Sequence, residues 1–544
     1  KKAYKNGLAD AIVREEFLDN SLSEFLSEIL KNNQQNKFLI KRNKAKSSRN
    51  LFEHLLFGKY LIYHLAQKDL FNKTKGFYIA PFYALEVVKK TYGSNISKGL
   101  KIELKAFCEL AIGEISKNLI EIFFTNEALK KDSGVENSDI KAQTVENSAV
   151  IGAGIMGGGI AWAFANSDIN VRIKDVANDG IALGYKQVAK NFAQLLKIRK
   201  LTKSEVAMKT SRVTSSVDYN GFKTVDFAVE AVPENMVIKK KILSELETKI
   251  SDNAIIASNT SSLSITEMSH SLQKPERFVG MHFFNPVNRM PLVEIIKGEK
   301  TSDEAIATAV ALSKKLKKTP IVVKDVAGFL VNRILLPFMN EASYLLQDGA
   351  TITEIDNEIE KFGMPMGPFI LADVVGIDVG VKVAHSLYES YGERMEVSAI
   401  LDEIYNNHKE LLGKKSNKGF YNYPSKEVNR NIYKILSEVK KSKNIKEINV
   451  TKLDIIDRTI LTMVNEASKC LEENVVKDAK YLDMAMIMGA GFPAFRGGVL
   501  RYADHVGIKN VVEKLQNLQD RFGARFEVSE LLLEMAQNNQ KFYN

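Results

Sequence analysis

Cysteine is almost missing from this chain. Cys108 and Cys470 are the only two in 544 residues, too few for a disulfide framework, and the scarcity points to a reducing compartment. Histidine is sparse as well, with seven in all. No HxxxH, CxxC or similar ligand spacing occurs, so a metal site is not expected. No apolar run approaches the roughly 18 residues of a membrane-spanning helix. No secretory signal is visible in a sequence that begins at Lys1. What is present is an ordinary composition, 45% hydrophobic and 26% charged, which excludes a disordered, collagen-like or disulfide-scaffold description of the whole. At about 150 residues per domain, the length suggests three or four domains.

The net charge is +10, from 76 basic and 66 acidic side chains. That balance suits nucleic acid, a membrane surface or an anionic small molecule. The densest basic stretch, 37–46, lies in a polar segment, 32–50, and reads as a solvated linker. No basic recognition helix or aromatic platform accompanies it, so nucleic acid is not expected as a partner. A cofactor or substrate carrying several phosphates fits the charge as well.

The pattern along the chain changes twice. Residues 16–30 and 51–131 read as helical, and the polar, glycine-containing run 130–139 reads as a domain boundary. From Ala149 short β-rich runs alternate with helices: 149–151, 171–173, 227–229, 254–257, 278–284, 292–296 and 321–323. Thr202 with Glu205, Ser264 with Glu267 and Thr301 with Glu304 read as capping boxes. This alternation predicts a doubly wound α/β sheet, parallel and covered on both faces. After Lys324 the pattern is helical and duplicated. Arg333-Ile-Leu-Leu-Pro-Phe-Met-Asn-Glu-Ala-Ser343 matches Arg458-Thr-Ile-Leu-Thr-Met-Val-Asn-Glu-Ala-Ser468, 362–368 echoes 491–498, and 372–377 echoes 503–508. The expected organisation is 1–50, 51–139, a domain built on this sheet at 140–325, and two all-helical units at 326–425 and 452–544.

Gly152-Ala-Gly154-Ile-Met-Gly157 follows the run 149–151 and opens a helix. There the first glycine permits the turn, the second lets a pyrophosphate approach the backbone, and the third allows close helix–strand packing. The helix start offers free amides to the phosphates. Asp175 stands near the end of the next strand, where a carboxylate bonds an adenine ribose and repels a 2′-phosphate, favouring NAD over NADP. His282 lies on a strand-like run ending in Asn285-Pro286, and Glu294 lies on the next. An imidazole accepts a hydroxyl proton, and a carboxylate orients the ring, which makes this pair a candidate general base. The other six histidines have no such setting and read as structural or solvated. Ser258-Asn-Thr-Ser-Ser262 ends a β-run at the ligand-binding edge of such a sheet; the bland reading is a turn and cap cluster.

These segments, with Gly280-Met-His-Phe-Phe-Asn-Pro286, Pro291-Leu-Val-Glu-Ile-Ile296 and Gly328-Phe-Leu-Val-Asn-Arg333, together resemble 3-hydroxyacyl-CoA dehydrogenase. The tandem helical units are similar to the multifunctional fatty-acid oxidation enzymes of the α-subunit type. In that family an enoyl-CoA hydratase (crotonase) domain precedes the dehydrogenase. Residues 3–13 resemble its late part, and 51–135 its closing helices and connector. The resemblance implies that His282 is the catalytic base and Glu294 its partner. Ser261 and Asn332 would position the hydroxyacyl group and its thioester carbonyl. Gly152, Gly154, Met156, Gly157, Asp175, Glu234, Lys239 and Ser261 would line the NAD site, with Val232 and Pro233 giving backbone contact and Asn285 holding the nicotinamide end.

The resemblance further implies an acyl-CoA thioester substrate in β-oxidation. A thiolase subunit and a second copy of the chain are candidate partners. The implied location is cytoplasmic in a bacterium or the mitochondrial matrix in a eukaryote. There are departures from the family pattern. The paired glutamates and oxyanion-hole amides of a crotonase site are not in these residues. Asp457-Arg458 replaces Asn332-Arg333 in the second unit, and Met488 stands where the family can carry an aromatic contact, which leaves acyl-chain preference open. Two other readings stay open: an NAD-binding structural protein on the same scaffold, and a dehydrogenase of a hydroxy acid without CoA. Relatives of the latter kind use a lysine where this chain has Asn332.

Overall fold

The computed structural model describes residues 11–13, 15–31, 56–137 and 139–543. The basic stretch 37–46 and most of the crotonase-like start at 3–13 lie outside the described residues. The chain divides into two compact units, 1–113 and 114–544. In the first, a 3₁₀ turn (Glu15–Phe17) leads into the helix Leu18–Lys31, and Leu56–Thr74, Ala80–Thr91 and Ile96–Ala111 follow. The last two of these helices bury no residue, and Leu65, Phe71, Leu104 and Phe107 of this unit are exposed.

The second unit holds the sheet. Its strands are β1 (Asn147–Ile151), β2 (Asn170–Lys174), β3 (Val213–Ser216), β4 (Phe227–Glu230), β5 (Ile255–Ser258), β6 (Phe278–Phe283), β7 (Leu292–Lys297) and β8 (Thr319–Lys324), in the order β3-β2-β1-β4-β5-β6-β7-β8. Strands β1 to β6 run parallel. β7 is antiparallel to β6, and β8 is parallel to β7. Every residue of β4 and β6 is buried, as expected of strands covered on both faces. The order reverses between β1 and β4, and the carboxyl ends around that point form the crevice where such sheets take ligands.

Four local expectations need correction. β3 was not expected, because Val-Thr-Ser-Ser carries little apolar signal; it is an edge strand paired only with β2. The helix Asp303–Lys315 is capped by Ser302, whose side chain accepts from Ala305 N; Thr301 instead donates to Phe278 O at 2.7 Å. A small hairpin, Tyr421–Asn422 with Glu427–Val428, interrupts the helical part. The run 130–139, expected as a domain boundary, lies inside the second unit. The helix Glu114–Lys131 belongs to the second unit through Asn118 Nδ2, 3.0 Å from Phe495 O. Asp132 accepts from Tyr481 Oη at 2.6 Å. Burial works to raise the Asp132 carboxyl, but Tyr481, the Gly134 amide and Lys477 together hold it below its ordinary value.

The helical part is two copies of one unit. Val331–Asp348, Ile352–Phe362, Pro368–Val375, Ile377–Tyr391 and Ala399–Asn407 have counterparts in Lys452–Glu472, Ala479–Ala485, Val499–Val506, Ile508–Phe522 and Glu530–Asn538. The two first helices pack against each other with reciprocal bonds across a pseudo-two-fold axis. Arg333 Nε donates to Glu466 Oε1, and Arg458 Nε to Glu341 Oε1, both at 2.7 Å. Both guanidinium side chains are fully buried. Each copy is closed by the same buried carboxylates. Asp356 accepts from Phe369 N and Tyr421 Oη, as Asp483 does from Leu500 N and Tyr543 Oη. Asp373 takes the amides of Phe420 and Tyr421, as Asp504 takes those of Phe542 and Tyr543.

Candidate active site

The glycine turn after β1 is sterically obligatory. Gly152 has φ +97°, and a Cβ there would lie 2.6 Å from Ala231 O; one at Gly157 would lie 1.8 Å from Gly152 O. Gly154 caps the helix Ile155–Asn166 with no side chain on its amides, and open space surrounds the place a Cβ would take. A bare helix start in open space fits a dinucleotide pyrophosphate. Met156 borders this turn, half-buried. Asp175, just past β2, accepts from Ala153 N and Val176 N at 2.7 Å each. Those bonds fix the carboxylate beside the turn and leave it lone pairs for ribose hydroxyls.

The loops after β4 and β5 are tied by carboxylates. Val232 N donates to Glu230 Oε1 at 2.7 Å, and Pro233 is exposed next to it. Glu234 Oε1 accepts from Thr260 Oγ1, Ser261 N and Ser261 Oγ at 2.7, 2.8 and 3.1 Å. Burial works to raise the Glu234 carboxyl, but Lys239 and these bonds outweigh it and hold it below the ordinary range. Lys239 is fully buried. Its Nζ reaches Glu230 at 2.8 and 3.0 Å, Asn259 O at 3.1 Å and Glu234 at 3.5 Å. Lys239 thus sits behind Glu234, and its ammonium has no exposed face to offer.

His282 and Glu294 stand directly opposite each other in the β6–β7 register. Nδ1 donates to Glu294 Oε2 at 2.6 Å, which leaves Nε2 for a substrate hydroxyl. The His282 ring is 7% exposed, packed between Phe284 and Phe329. Glu294 is 0% exposed, and its other oxygen accepts from Leu330 N at 3.2 Å and Val331 N at 2.9 Å. These amides open the helix Val331–Asp348 and have no partner within it. From the next residue, Asn332 Nδ2 donates to Ser261 O at 3.0 Å. Asn285, exposed at the end of the β6 run, completes the set.

The structure thus brings together Ser261, Asn332 and Glu234 on one side, and His282 and Glu294 on the other. Other bonds hold these elements together. Asn259 Oδ1 accepts from Phe283 N at 3.0 Å and joins the β5 loop to the histidine strand. Ser258 donates to the buried Glu230 at 2.5 Å. Lys318 Nζ donates to Val287 O and to Met290 O, fastening the loop after Asn285-Pro286; burial pushes its ammonium down to about 8. Each bond joins residues far apart in sequence, and a lone Asn, Ser or Lys announces none of them. Among the described residues no group of three His, Cys, Asp or Glu is arranged to hold a metal ion, and no helix is long and apolar enough to cross a membrane.

Comparison with known proteins places the chain in a family. Residues 147–326 match the 3-hydroxyacyl-CoA dehydrogenase NAD-binding domain. Residues 328–423 and 455–542 each match its C-terminal domain. A fatty acid oxidation complex subunit alpha of Acinetobacter baylyi is 41% identical over 497 residues, which are 88% of this chain and 68% of the relative. That of Vibrio parahaemolyticus is 37% identical over 550 residues, covering 100% and 75%. The dehydrogenase part of a multifunctional enzyme of C. elegans superposes with a TM-score of 0.54 at 28% identity, over 78% of this chain and 99% of that one. An Escherichia coli 3-hydroxybutyryl-CoA dehydrogenase shares the fold, with a TM-score of 0.64 at 24% identity over 73% and 99%. The chain belongs to the 3-hydroxyacyl-CoA dehydrogenase family and is an NAD-dependent oxidoreductase of fatty-acid β-oxidation.

Proposed function

We propose that His282 is the general base for oxidation of L-3-hydroxyacyl-CoA to 3-ketoacyl-CoA. The observation that carries this is the buried 2.6 Å bond between His282 Nδ1 and Glu294. Glu294 fixes the ring and the tautomer, so Nε2 takes the C3 hydroxyl proton, and the carboxylate stabilises the imidazolium that forms. NAD, when bound, accepts the hydride from C3. Gly152, Gly154 and Gly157 would hold its pyrophosphate, Asp175 its adenine ribose, and Asn285 its nicotinamide end. Met156, Val232, Pro233 and Glu234 line the same crevice, with Lys239 behind. Ser261 and Asn332 orient the hydroxyacyl group and its thioester carbonyl, and holding C3 in line supplies much of the rate. The rival with a catalytic lysine finds Asn332 in its place.

The same reading gives a longer parent chain an enoyl-CoA hydratase activity in its crotonase-like part. The word complex in the relatives' names supports a partner subunit, for which we propose a thiolase. His282→Ala should lower turnover by ~10²–10⁴-fold in an acetoacetyl-CoA and NADH assay, with the NAD dissociation constant nearly unchanged. An NAD constant that rises as steeply as turnover falls would move His282 to the cofactor. Asp175→Ala should weaken NAD binding and narrow the NAD/NADP preference; an unchanged ratio removes Asp175 from the ribose.

A further inference from the structure

The buried carboxylate of Glu294 has two oxygens with different tasks. One holds His282, and the other rests on the first amides of the helix Val331–Asp348. The place of that helix start therefore sets where the carboxylate, and with it the imidazole, can sit. Two residues into the helix, Arg333 anchors it from the opposite side. Its Nε bonds Glu466, and its two terminal nitrogens bond Glu473 at 2.6 and 2.7 Å. Glu466 lies in the first helix of the second copy, and Glu473 caps that helix. The Arg333 guanidinium also lies over the Tyr391 ring, 4.5 Å from its centroid. A bidentate pair with a planar cation fixes orientation as well as distance.

A second contact reaches the same place. In the second copy the turn Met486–Ala490 closes on the helix start. A Cβ at Gly489 would lie 2.7 Å from Leu292, two residues before Glu294 on β7, and 3.1 Å from Val331. The pseudo-symmetric network serves as an internal contrast. Arg458 Nε bonds Glu341, and one terminal nitrogen bonds Asp348, where Arg333 holds Glu473 with two. The Arg458 helix, however, begins at Lys452, and Ile455 N is bonded to Thr451 O within the chain. Ile455 and Ile456, which correspond to Leu330 and Val331, thus lie inside that helix and not at its start.

We propose that Glu473 and Glu466 of the second copy are positioning residues for the dehydrogenase, acting through Arg333 and the helix start to hold Glu294 and His282 in line. This rests on the assignment of His282 as base. Glu473 is 42% exposed on its side chain, so Glu473→Gln removes a charge without opening the core. It should lower turnover about tenfold, within the range that small misplacements of catalytic groups cost. The substrate KM and the NAD dissociation constant should stay within about twofold. Glu473→Asp, which keeps the charge, should recover most of the turnover. Asp348→Asn removes the equivalent carboxylate of the other network and should leave turnover at the parent value.

Equal turnover for Glu473→Gln and Asp348→Asn, whether both high or both low, would overturn the proposal and reduce the networks to stability alone. Should Glu473→Gln prove insoluble, Arg333→Lys is read in its place with the same expectations. His282→Gln run beside them separates the two assignments. If it stays active, the base is elsewhere and both fail. If it is inactive while the two network variants behave alike, only the positioning role fails.

Discussion

Arg333 and Arg458 occupy equivalent places in the two helical copies and each bonds two carboxylates of the other copy, yet only the first stands beside the His282–Glu294 pair. The difference lies at the helix starts. In the first copy the helix begins at Val331, just ahead of the arginine, so its free amides receive Glu294, and Asn332 is left to face Ser261. In the second copy the helix begins earlier, at Lys452, under a capping box of Thr451 and Asp454. There the residue in the place of Asn332 is Asp457, paired with Lys514 at 2.9 Å. The packing face is duplicated, and a helix start that receives a carboxylate from the sheet is present in the first copy. An isologous contact buries the same patch from each partner, and two fused copies satisfy that patch within one chain.

The comparison can be broken most severely by deletion. Removing 452–544 strips Arg333 of Glu466 and Glu473 and opens the packed face between the two first helices. Breaking a buried ion pair from one side costs about 3–5 kcal/mol by itself. Light scattering should find aggregate or a forced dimer, and turnover should fall more than about 100-fold; a monomeric, active remainder would make the copies independent. Next in size is Asn332→Asp, which writes the second copy's residue into the first. It removes the donor to Ser261 O and adds a negative charge beside the proposed thioester site. A loss of roughly 10–100-fold in kcat/KM is expected from steady-state kinetics. An unchanged value would separate Asn332 from the substrate.

Stability against pH sharpens the comparison further. Burial pushes the carboxyls of Asp356 and Asp483 up to about 7, and that of Asp373 to about 6. Between the ordinary carboxyl value and these, the folded chain binds more protons than the unfolded one. Their stabilisation is complete below about pH 4 and is lost as pH rises through 6 to 7, by up to roughly 1.4 kcal/mol per pH unit for each group. In melting curves over pH 4–8, Asp356→Asn and Asp483→Asn should flatten this slope equally; unequal effects would mean that the two copies close differently. The smallest change expected is Asp457→Asn. Its bond to Lys514 is partly exposed, so stability should move by under about 1 kcal/mol, with kcat/KM at the parent value in the same assay.

Much of this was legible without coordinates, for reasons that differ by element. The glycine turn could be read because only glycine tolerates φ +97° at Gly152 and the 1.8 Å approach at Gly157. The strands covered on both faces could be read as apolar runs, and β3 could not, since an edge strand needs little burial and shows little pattern. The copies showed because their helices still pack on the same face, which preserves Arg, Asn, Glu and Ser at matching places. The run 130–139 reads as a domain boundary because polarity does not distinguish a solvated segment from one pinned by Tyr481 and Lys477.

By itself the sequence determined the dinucleotide turn, the order of sheet and helices, the duplication, and the short list from which His282, Glu294, Ser261 and Asn332 came. The turn and the order of elements are local features, set by backbone sterics and by periodicities of two and 3.6 residues; the duplication came from matched segments, and the roles of Ser261 and Asn332 from the family resemblance. The tertiary structure decided that β7 turns antiparallel and so sets Glu294 opposite His282. It also decided that Lys239 is sealed behind Glu234, and that Glu473 reaches Arg333 from the other copy. Each of these depends on which distant segments share a buried space, where a charge must find a partner that neither segment specifies alone.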